Sequence, residues 1–467
     1  MRNLTSVRVV GLLHTFNHHI EFPGDWEFVI VHGPNGIGKT KLFELIKYTF
    51  NGDLARLQEI PFEVAGFAFS DGSRLSIGKH RPATKSAARR TKVARLRREV
   101  MSGATGNRIF FHLQRPGHEP LEWSQSADAN RHMALDLHDL VSRITPARRI
   151  TVDTWRDVND HELLSFADVL EKYGDILPPN VRERNQLPAP LLSFINDVNV
   201  HLIETQRLLY IPERGKRTRG EAGNQSRVSY LAADLVRRMR EVLARSSQTS
   251  QELDRTFPRR VLLPDSTPAK EIANELIVRR YNEQAGLRDR LASIDLLDMS
   301  GDFPLPNEKL SSWERRVLWT YLQDSEAKLK AFEDILQRVE LFRDIVNSRF
   351  LFKRIKIDRE RGFVFKTQAG EELSPDHLSS GEQHELVLVY GLLFGVEPGS
   401  LVLIDEPEIS LHPAWQRKFL DDIVRIANLT ALRFMIATHS PQIIHKWWGR
   451  AVALAPEQHE TDERDGQ

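Results

Sequence analysis

The strongest constraint on this sequence is an eight-residue stretch, Gly33 to Thr40, which reads Gly-Pro-Asn-Gly-Ile-Gly-Lys-Thr. It matches the phosphate-loop pattern G-x-x-x-x-G-K-S/T. Its glycines permit backbone conformations that side chains forbid, so successive N–H groups can turn toward an anion. The pattern assigns Lys39 to the β- and γ-phosphates of a nucleotide and the Thr40 hydroxyl to Mg²⁺. The predicted nucleotide contacts are Gly33, Asn35, Gly36, Gly38, Lys39 and Thr40.

The flanking residues supply the elements that such a loop requires. The apolar run from Glu27 to Val31 predicts a buried strand that leads into the loop. Apolar residues at helical spacing from Leu42 to Phe50, with Gly52 as a stop, predict a helix whose N-terminus points at the phosphates. The order of strand, loop and helix favours a nucleotide site over a glycine-rich turn that a lysine happens to follow.

Composition sets outer limits on the function. The chain has 467 residues, no cysteine, and 65 basic against 64 acidic residues for a net charge of +1. Disulfides, thiol catalysis and cysteine-based zinc sites are therefore excluded, and no global field attracts nucleic acid or an anionic membrane. No apolar run approaches the length of a membrane span, and the polar N-terminus is unlike a signal peptide. We expect a soluble, cytoplasmic protein with no membrane partner.

A second group of acids follows a buried strand near the C-terminus. The apolar residues from Leu401 to Ile404 end in Asp405 and Glu406, which describes a central strand that carries two carboxylates to the rim of a parallel sheet. Asp405 is predicted to hold Mg²⁺ through water, and Glu406 to polarise the attacking water as a general base. A further strand, Arg433 to Ala437, delivers His439 to the same rim, where contact with the γ-phosphate is favoured over a structural role.

Two more candidates are less specific. The turn at Ser379, Gly381 and Gln383 precedes an apolar helix and predicts either a second anion site or an ordinary helix cap. Gln206 ends a predicted strand, Val200 to Thr205, and is interpreted either as a magnesium-sensing side chain or as a plain exposed glutamine.

The rest of the chain predicts an α/β protein with a helical insertion. Residues 6–13 and 18–22 predict paired strands, and four segments between 62 and 123 predict a small antiparallel sheet. Residues 125–200 are expected to be mostly helical, and residues 351–358 and 363–367 to form a hairpin. The predicted divisions are an N-terminal lobe (1–210), a helical arm (211–348), a C-terminal lobe (349–455) and a disordered acidic tail (456–467). The simplest arm is a short antiparallel coiled coil of two helices.

A basic run at residues 79–98 offers a local nucleic-acid contact. Its nine cations are Lys79, Arg81, Lys85, Arg89, Arg90, Lys92, Arg95, Arg97 and Arg98. They could neutralise a nucleic-acid backbone. The alternative is a solvated helix face or arm, because no aromatic residues are interleaved with the charges.

The order of these motifs resembles the ABC-type ATPase head shared by Rad50, SMC and RecF proteins. The resemblance implies an ABC-ATPase fold, in which a phosphate-loop parallel sheet is joined by a small antiparallel sheet. It also implies ATP and Mg²⁺ as ligands, and a head-to-head homodimer that sandwiches two ATP molecules. Ser379, Gly381 and Gln383 of one subunit would then complete the site of the other. Lys39, Glu406 and His439 would be the catalytic residues, and Thr40, Asp405 and Gln206 would serve the metal.

A narrower resemblance covers Leu401 to Pro413 and Val200 to Leu208. Both segments look like the stand-alone ATPases of bacterial anti-phage modules, such as those of the Septu and PARIS systems, and the ATPase part of OLD-family nucleases. Two positions depart from the pattern: His412 replaces an aspartate, and His14 lies where related heads often have an arginine. We expect no nuclease domain after His439, so nuclease activity would belong to a separate partner.

Four functions follow from these features. The first is an ATPase sensor and scaffold of prokaryotic defence that controls a separate effector, expected to be a nuclease. The second is a DNA-repair or chromosome-maintenance ATPase that clamps DNA. The third is a scaffold that holds ATP with little turnover. A transporter ATPase is disfavoured, because a long helical insertion splits the head and no membrane segment is present.

Overall fold

The computed structural model resolves the chain into two compact units. It describes residues 2–24, 26–80, 108–126, 143–149, 155–158, 163–164, 169, 172–173, 176, 187–204, 227–262, 273–298, 305, 310–409 and 411–454. One unit, here called the split unit, consists of residues 1–222 and 397–467. The other, the inserted unit, consists of residues 223–396.

The split unit contains most of the strands. They are β1 (Leu4–Leu12), β2 (Phe16–Glu21), β3 (Phe28–His32), β4 (Val64–Phe69), β5 (Arg74–His80), β6 (Arg108–Gln114), β7 (Leu121–Ser126), β8 (Ala147–Arg149), β9 (Trp155–Asp157), β10 (Leu163–Leu164) and β11 (Val200–Glu204), with β15 (Leu401–Asp405), β16 (Arg433–Thr438) and β17 (Ala451–Ala453) from its C-terminal part. The inserted unit contributes β12 (Lys353–Asp358), β13 (Gly362–Thr367) and β14 (Glu372–Leu373).

The helices divide between the units. The split unit has α1 (Lys39–Phe50), α2 (Leu54–Glu59), α3 (Ala189–Asn196), α9 (Pro413–Thr430) and α10 (Pro441–Ile444). The inserted unit has α4 (Arg227–Leu262), α5 (Asn274–Ser293), α6 (Ser312–Lys330), α7 (Glu333–Arg349) and α8 (Ser380–Tyr390). Within the described ranges, no helix combines the length and apolar content needed to cross a membrane.

A five-stranded parallel sheet organises the split unit, in the order β11-β15-β16-β3-β17. Its strands β3, β15 and β16 read as near-continuous apolar runs because they are covered on both faces. The predicted strands before the phosphate loop, before Asp405 and before His439 are thereby confirmed. The helix predicted after the loop is α1, which buries Leu42, Phe43, Leu45, Ile46 and Phe50.

A six-stranded antiparallel sheet, β2-β1-β4-β5-β6-β7, shares the core of the split unit. It confirms the predicted early strand pair and the predicted small antiparallel sheet. Apolar side chains from this sheet, from α1 and from the parallel sheet form one buried cluster. The phosphate loop is therefore anchored by a continuous core. Together these elements make an α/β unit with a parallel and an antiparallel sheet.

The inserted unit is mostly helical and carries the predicted hairpin, since β12 and β13 pair antiparallel from Lys353 with Thr367 to Asp358 with Gly362. Its longest helix, α4, has 36 residues, which corresponds to about 54 Å. Helix α6 packs against α5 through the buried side chains of Leu322 and Ile277, and it also makes polar contacts through its backbone carbonyls. Gln284 of α5 donates to the Leu322 carbonyl at 2.8 Å, and Ser246 of α4 donates to the Lys328 carbonyl at 3.3 Å.

The prediction of a two-helix arm is wrong, because the described part of the insertion before the hairpin holds four helices. Apolar residues recur at helical spacing from Leu310 to Val339, which predicts one continuous helix of the arm. The structure divides this segment at Ala331 and Phe332, between α6 and α7. Both residues keep helical backbone angles, and Phe332 N–H donates to the Leu329 carbonyl at 3.0 Å. The chain therefore turns without a proline or glycine. The helical periodicity of the sequence continues across this position and does not indicate the break.

Several other predictions concern residues outside the described ranges. Gln206, the acidic tail and the basic run from Arg81 to Arg98 lie outside them. Residues 125–200, expected to be mostly helical, are described only in part. Those described include the short strands β8, β9 and β10 as well as α3.

Lys79, the first cation of the basic run, is not a solvent-facing charge. Its Nζ donates to the carbonyls of Gln58, at 2.7 Å, and Ile60, and lies 4.5 Å from the centre of the Phe62 ring. Burial lowers the pKa of Lys79 to about 7. A lysine held in this way stabilises the C-terminal end of α2 and does not present a cation to nucleic acid.

Gly362 allows the hairpin to touch α4. Its φ is +81°, and a Cβ built there would lie 2.0 Å from the Ala232 carbonyl oxygen. Gly370, in the same unit, has a φ of +83° and no heavy atom within 4 Å of its built Cβ.

Gly362→Ala should therefore destabilise the chain far more than Gly370→Ala. Both changes incur the left-handed backbone penalty of about 1–2 kcal/mol, whereas only the first forces two backbones apart, at a further cost of about 2 kcal/mol or more. Urea titrations of the full chain monitored by circular dichroism measure the difference. Equal losses in the two variants would contradict the described contact.

Candidate nucleotide site

The carboxyl ends of three parallel strands bring the predicted motifs to one edge of the sheet. In register, Asp405 lies beside Ala437, and Thr438 lies beside His32. The phosphate loop follows β3, the acidic pair ends β15, and the His439 turn follows β16. Ligands of open α/β sheets bind at this edge.

The phosphate loop has the geometry of an anion cradle. Gly36 and Gly38 have φ values of 82° and 94°, which residues with a side chain rarely adopt. A Cβ on Gly33 would lie 2.7 Å from the Leu454 carbonyl oxygen, so glycine is required there by space. Helix α1 begins directly after Gly38, and no side chain caps its first N–H groups. Its N-terminus thus offers donors and the positive end of the helix dipole to a phosphate.

Lys39 is held inside this loop. The side chain is buried, and its Nζ donates to the carbonyls of Gly33 at 2.9 Å and Pro34 at 3.2 Å. The loop backbone therefore surrounds the ammonium group of Lys39. Asn35, in contrast, is exposed at the tip of the loop.

Thr40 and Asp405 meet directly. The Thr40 hydroxyl donates to Asp405 Oδ2 at 2.7 Å, although the two residues are 365 positions apart. Burial raises the pKa of Asp405 to about 6; the nearby Glu406 and Glu408 add to the rise, while the Thr40 hydrogen bond opposes it. A hydroxyl, a carboxylate and the phosphates of a nucleotide are the oxygen ligands that Mg²⁺ takes in such sites. The residues present therefore fit Mg²⁺ together with a nucleotide.

Glu406 occupies a strained backbone position. Its φ is 48°, in the left-handed region, and its N–H donates to the Ala437 carbonyl at 2.9 Å. Such conformations cost about 1–3 kcal/mol and persist only where the surroundings impose them. Glu406 Oε1 lies 3.9 Å from His439 Nδ1, so the proposed base and the histidine are close neighbours without a short hydrogen bond.

Glu408 is a residue of this site that no sequence motif indicated. Its Oε1 accepts from the Thr438 hydroxyl at 2.8 Å and from His439 N–H at 2.9 Å, and lies 3.2 Å from His439 Nδ1. A third acid within the segment Asp405 to Glu408 was the available signal, but periodicity does not indicate which acid turns inward.

His18 is a second residue that was missed. His18 lies on β2, and its Nε2 is 2.9 Å from the carbonyl oxygen of Ile37 in the phosphate loop. Burial lowers its pKa, which favours the neutral ring with Nε2–H donating to that carbonyl. This contact joins the antiparallel sheet to the phosphate loop, and no sequence motif indicates it.

The turn at Ser379 is a well-formed helix cap in the inserted unit. The Ser379 hydroxyl caps α8, and the Glu382 carboxylate accepts from Ser379 N–H at 2.8 Å. The same carboxylate forms an ion pair with Lys353 at 2.8 Å. Gln383 Nε2 donates to the Leu378 carbonyl at 3.0 Å. A Cβ on Gly381 would meet nothing within 4 Å. Both interpretations of this turn, cap and anion site, are compatible with this geometry.

The two departures from the resembled pattern also have places in the structure. His412 caps α9, with its Nδ1 accepting from Ala414 N–H at 3.2 Å. His14 is exposed in the turn between β1 and β2 with a φ of 67°.

Comparison with known proteins bears on this site. Residues 148–445 match the model of the family described as "AAA domain, putative AbiEii toxin, Type IV TA system". That range holds Asp405, Glu406 and His439, and it begins after the phosphate loop. The chain is also 30% identical over 105 residues to "Retron Ec83 probable ATPase" from Escherichia coli, a match that spans 20% of this chain and 19% of that protein.

Solved structures with weaker similarity are heads of SMC proteins. The Smc head domain with an extended coiled coil from Pyrococcus furiosus is 12% identical, with a TM-score of 0.35 over 98% of this chain and 94% of that one. The SMC head domain from Thermotoga maritima is 10% identical, with a TM-score of 0.31 over 95% and 91%. At these scores the likeness bears on neither fold detail nor function.

Replacing Asp405 with asparagine should stabilise the nucleotide-free chain and weaken magnesium-dependent binding. A carboxyl whose pKa is raised on folding favours the protonated form, so the wild type loses stability as pH rises from about 4 to about 6. The amide in D405N would still accept from Thr40 but would not ionise. Relative to wild type, D405N should gain about 1–3 kcal/mol in unfolding free energy between pH 4.5 and pH 7.5. Affinity for Mg-ATP should fall at least tenfold.

Urea titrations at the two pH values and calorimetric titration with ATP in the presence and absence of Mg²⁺ provide the measurements. Asp289→Asn, at an exposed position of the inserted unit, is the control. A pH-independent stability difference for D405N, or unchanged Mg-ATP affinity, would contradict the assignment.

Proposed function

The chain belongs to the AAA-domain family whose model it matches, and from this membership we infer that it is the ATPase of a defence-related toxin system. Its class, a P-loop ATPase, follows from the family. The finer proposal is that it binds and hydrolyses Mg-ATP, dimerises head to head around the nucleotide, and thereby controls a separate effector protein.

One observation carries the catalytic part of the proposal: the Thr40–Asp405 hydrogen bond places the phosphate loop and the acidic pair at one point. Lys39 and the uncapped N-terminus of α1 would bind the phosphates, and Thr40 and Asp405 would hold Mg²⁺. When bound, the metal would offset the negative charge that develops on the transferred phosphoryl group. Glu406 would accept a proton from the attacking water, and His439 would contact the γ-phosphate.

The defence role draws on the relatives. The family description mentions a toxin system, and the printed name of the Escherichia coli protein assigns that ATPase to a retron. We propose by analogy that this chain also works beside a partner that carries the toxic activity, expected to be a nuclease. Its nucleotide state would switch the partner on or off.

Dimerisation would complete the site with a second helix N-terminus. Ser379 is exposed at the start of α8, and the space next to Gly381 is open, so a phosphate from another subunit could approach. A second dipole would favour ATP over ADP, because only ATP supplies the γ-phosphate charge. Nucleotide hydrolysis would then release the dimer.

Replacing Glu406 with glutamine should abolish hydrolysis without abolishing binding. Loss of a general base lowers kcat by about 10²–10⁴-fold, while the phosphate contacts remain. Phosphate release and ATP titration measure the two effects, and Glu397→Gln, at an exposed position, is the matched control. Wild-type turnover in E406Q would contradict the proposal that Glu406 is the general base.

The same variant tests the defence role in cells. Bacteria that carry the gene with its natural neighbours should survive phage infection better than cells without them, and E406Q should change that protection. Equal plating efficiency for wild type, E406Q and an empty vector across a phage panel would count against defence.

Replacing Ser379 with arginine should prevent ATP-dependent dimerisation, because it places a large cationic side chain at the proposed dimer interface. Light scattering after gel filtration, with E406Q as the background and ATP present, should give a dimer for the parent and a monomer for S379R. Ser374→Arg is the control, since Ser374 also caps a short helix in the same unit. A dimer of S379R with ATP would contradict the sandwich.

A further inference from the structure

Glu408 bridges the two loops that carry the proposed base and the proposed γ-phosphate contact. It lies two residues after Glu406, and its Oε1 accepts from the Thr438 hydroxyl at 2.8 Å and from His439 N–H at 2.9 Å. The same oxygen is 3.2 Å from His439 Nδ1. One carboxylate oxygen thus accepts from the backbone N–H of His439 and lies close to the ring of the same residue.

The surroundings of Glu408 are costly for a carboxylate. Its side chain is 8% exposed, and among the described residues Oε2 is buried without a hydrogen-bond partner. A buried acid with an unpaired oxygen destabilises the folded state unless its remaining bonds offset the loss of hydration. Packing alone does not explain such a residue, because an apolar side chain of similar size would avoid the cost.

A second bridge runs parallel to the first. The Ser440 hydroxyl donates to Gln416 Oε1 at 2.9 Å, and Gln416 Nε2 donates to the carbonyls of Glu408 and Leu411 at 3.3 Å each. Gln416 belongs to α9. The loop after β15, the loop after β16 and the first part of α9 therefore form one hydrogen-bonded group.

From this geometry we infer that Glu408 is a positioning residue for His439. It holds the imidazole as the Nδ1–H tautomer, which leaves Nε2 as the ring nitrogen for a nucleotide contact. Nδ1 is 3.2 Å from Glu408 and 3.9 Å from Glu406, so Glu408 is the nearer acceptor for its proton. The inference rests on the proposed roles of Glu406 and His439 in ATP hydrolysis.

Turnover of variants in the full chain tests the inference. Glu408→Ala should lower kcat about tenfold or more and leave KM for ATP within about twofold, because the ring loses its orientation while the phosphate loop is intact. Glu408→Gln should recover most of kcat, since its amide oxygen accepts the same donors. In a His439→Ala background, Glu408→Ala should cause no further loss, because the residue acts through the histidine.

Thr438→Val separates positioning from simple stability. It removes the bond to Oε1 and the bond that Ser440 N–H donates to the Thr438 hydroxyl at 3.0 Å, but leaves both His439 contacts with Glu408. The value of kcat should therefore stay within about threefold of wild type even where the melting temperature falls as far as in E408A. Nitrogen chemical shifts of His439, identified by their disappearance in H439A, should report the Nδ1–H tautomer in wild type and a tautomer mixture in E408A.

The outcomes are distinct. Wild-type kcat in E408A, multiplicative effects of E408A and H439A, or an unchanged His439 tautomer in E408A would each overturn the inference. If the wild type does not hydrolyse ATP, the proposed function fails, and the tautomer measurement still decides whether Glu408 orients the ring.

Discussion

The hydrogen bond between the Thr40 hydroxyl and Asp405 Oδ2 is the contact on which the nucleotide site depends. It joins the start of α1 to the end of β15, and so fixes the phosphate loop relative to the acidic pair. The burial that surrounds this contact also raises the pKa of Asp405, so the ionised carboxylate carries an electrostatic cost in the folded chain. A bound divalent cation would remove that cost, which couples occupancy of the site to stability of the sheet edge.

Backbone strain and buried charge are concentrated in one turn of the chain. Glu406 has a positive φ, and two residues later Glu408 enters the interior with one oxygen committed to the His439 loop. Natural chains keep such costs where the geometry serves a function. The neighbouring strands supply the restraint, because β15 is buried along its whole length and β16 along all but its first residue. The rigid sheet thus holds an otherwise unfavourable turn.

Local patterns predicted those parts of the fold that contiguous residues encode. The strand before the phosphate loop, α1, β15, β16 and the hairpin of β12 and β13 all follow from periodicity and turn residues. The break between α6 and α7 did not, because Ala331 and Phe332 stay helical. Tertiary contacts such as His18 with Ile37, Lys79 with the end of α2, and Glu408 with His439 join distant segments, and no local pattern records them.

The order of strands in the parallel sheet has a consequence for synthesis of the protein. Strand β3 lies between β16 and β17, which are the last two strands of the described chain. Translation of the residues between His32 and Ala453 takes roughly 20–80 s at about 5–20 residues per second. For that time the apolar strand β3 lacks at least one of its two neighbours, and unpaired strand edges of this kind are prone to aggregation during synthesis. The edge of the sheet that carries Lys39, Asp405 and His439 therefore forms only after the C-terminal strands have been synthesised.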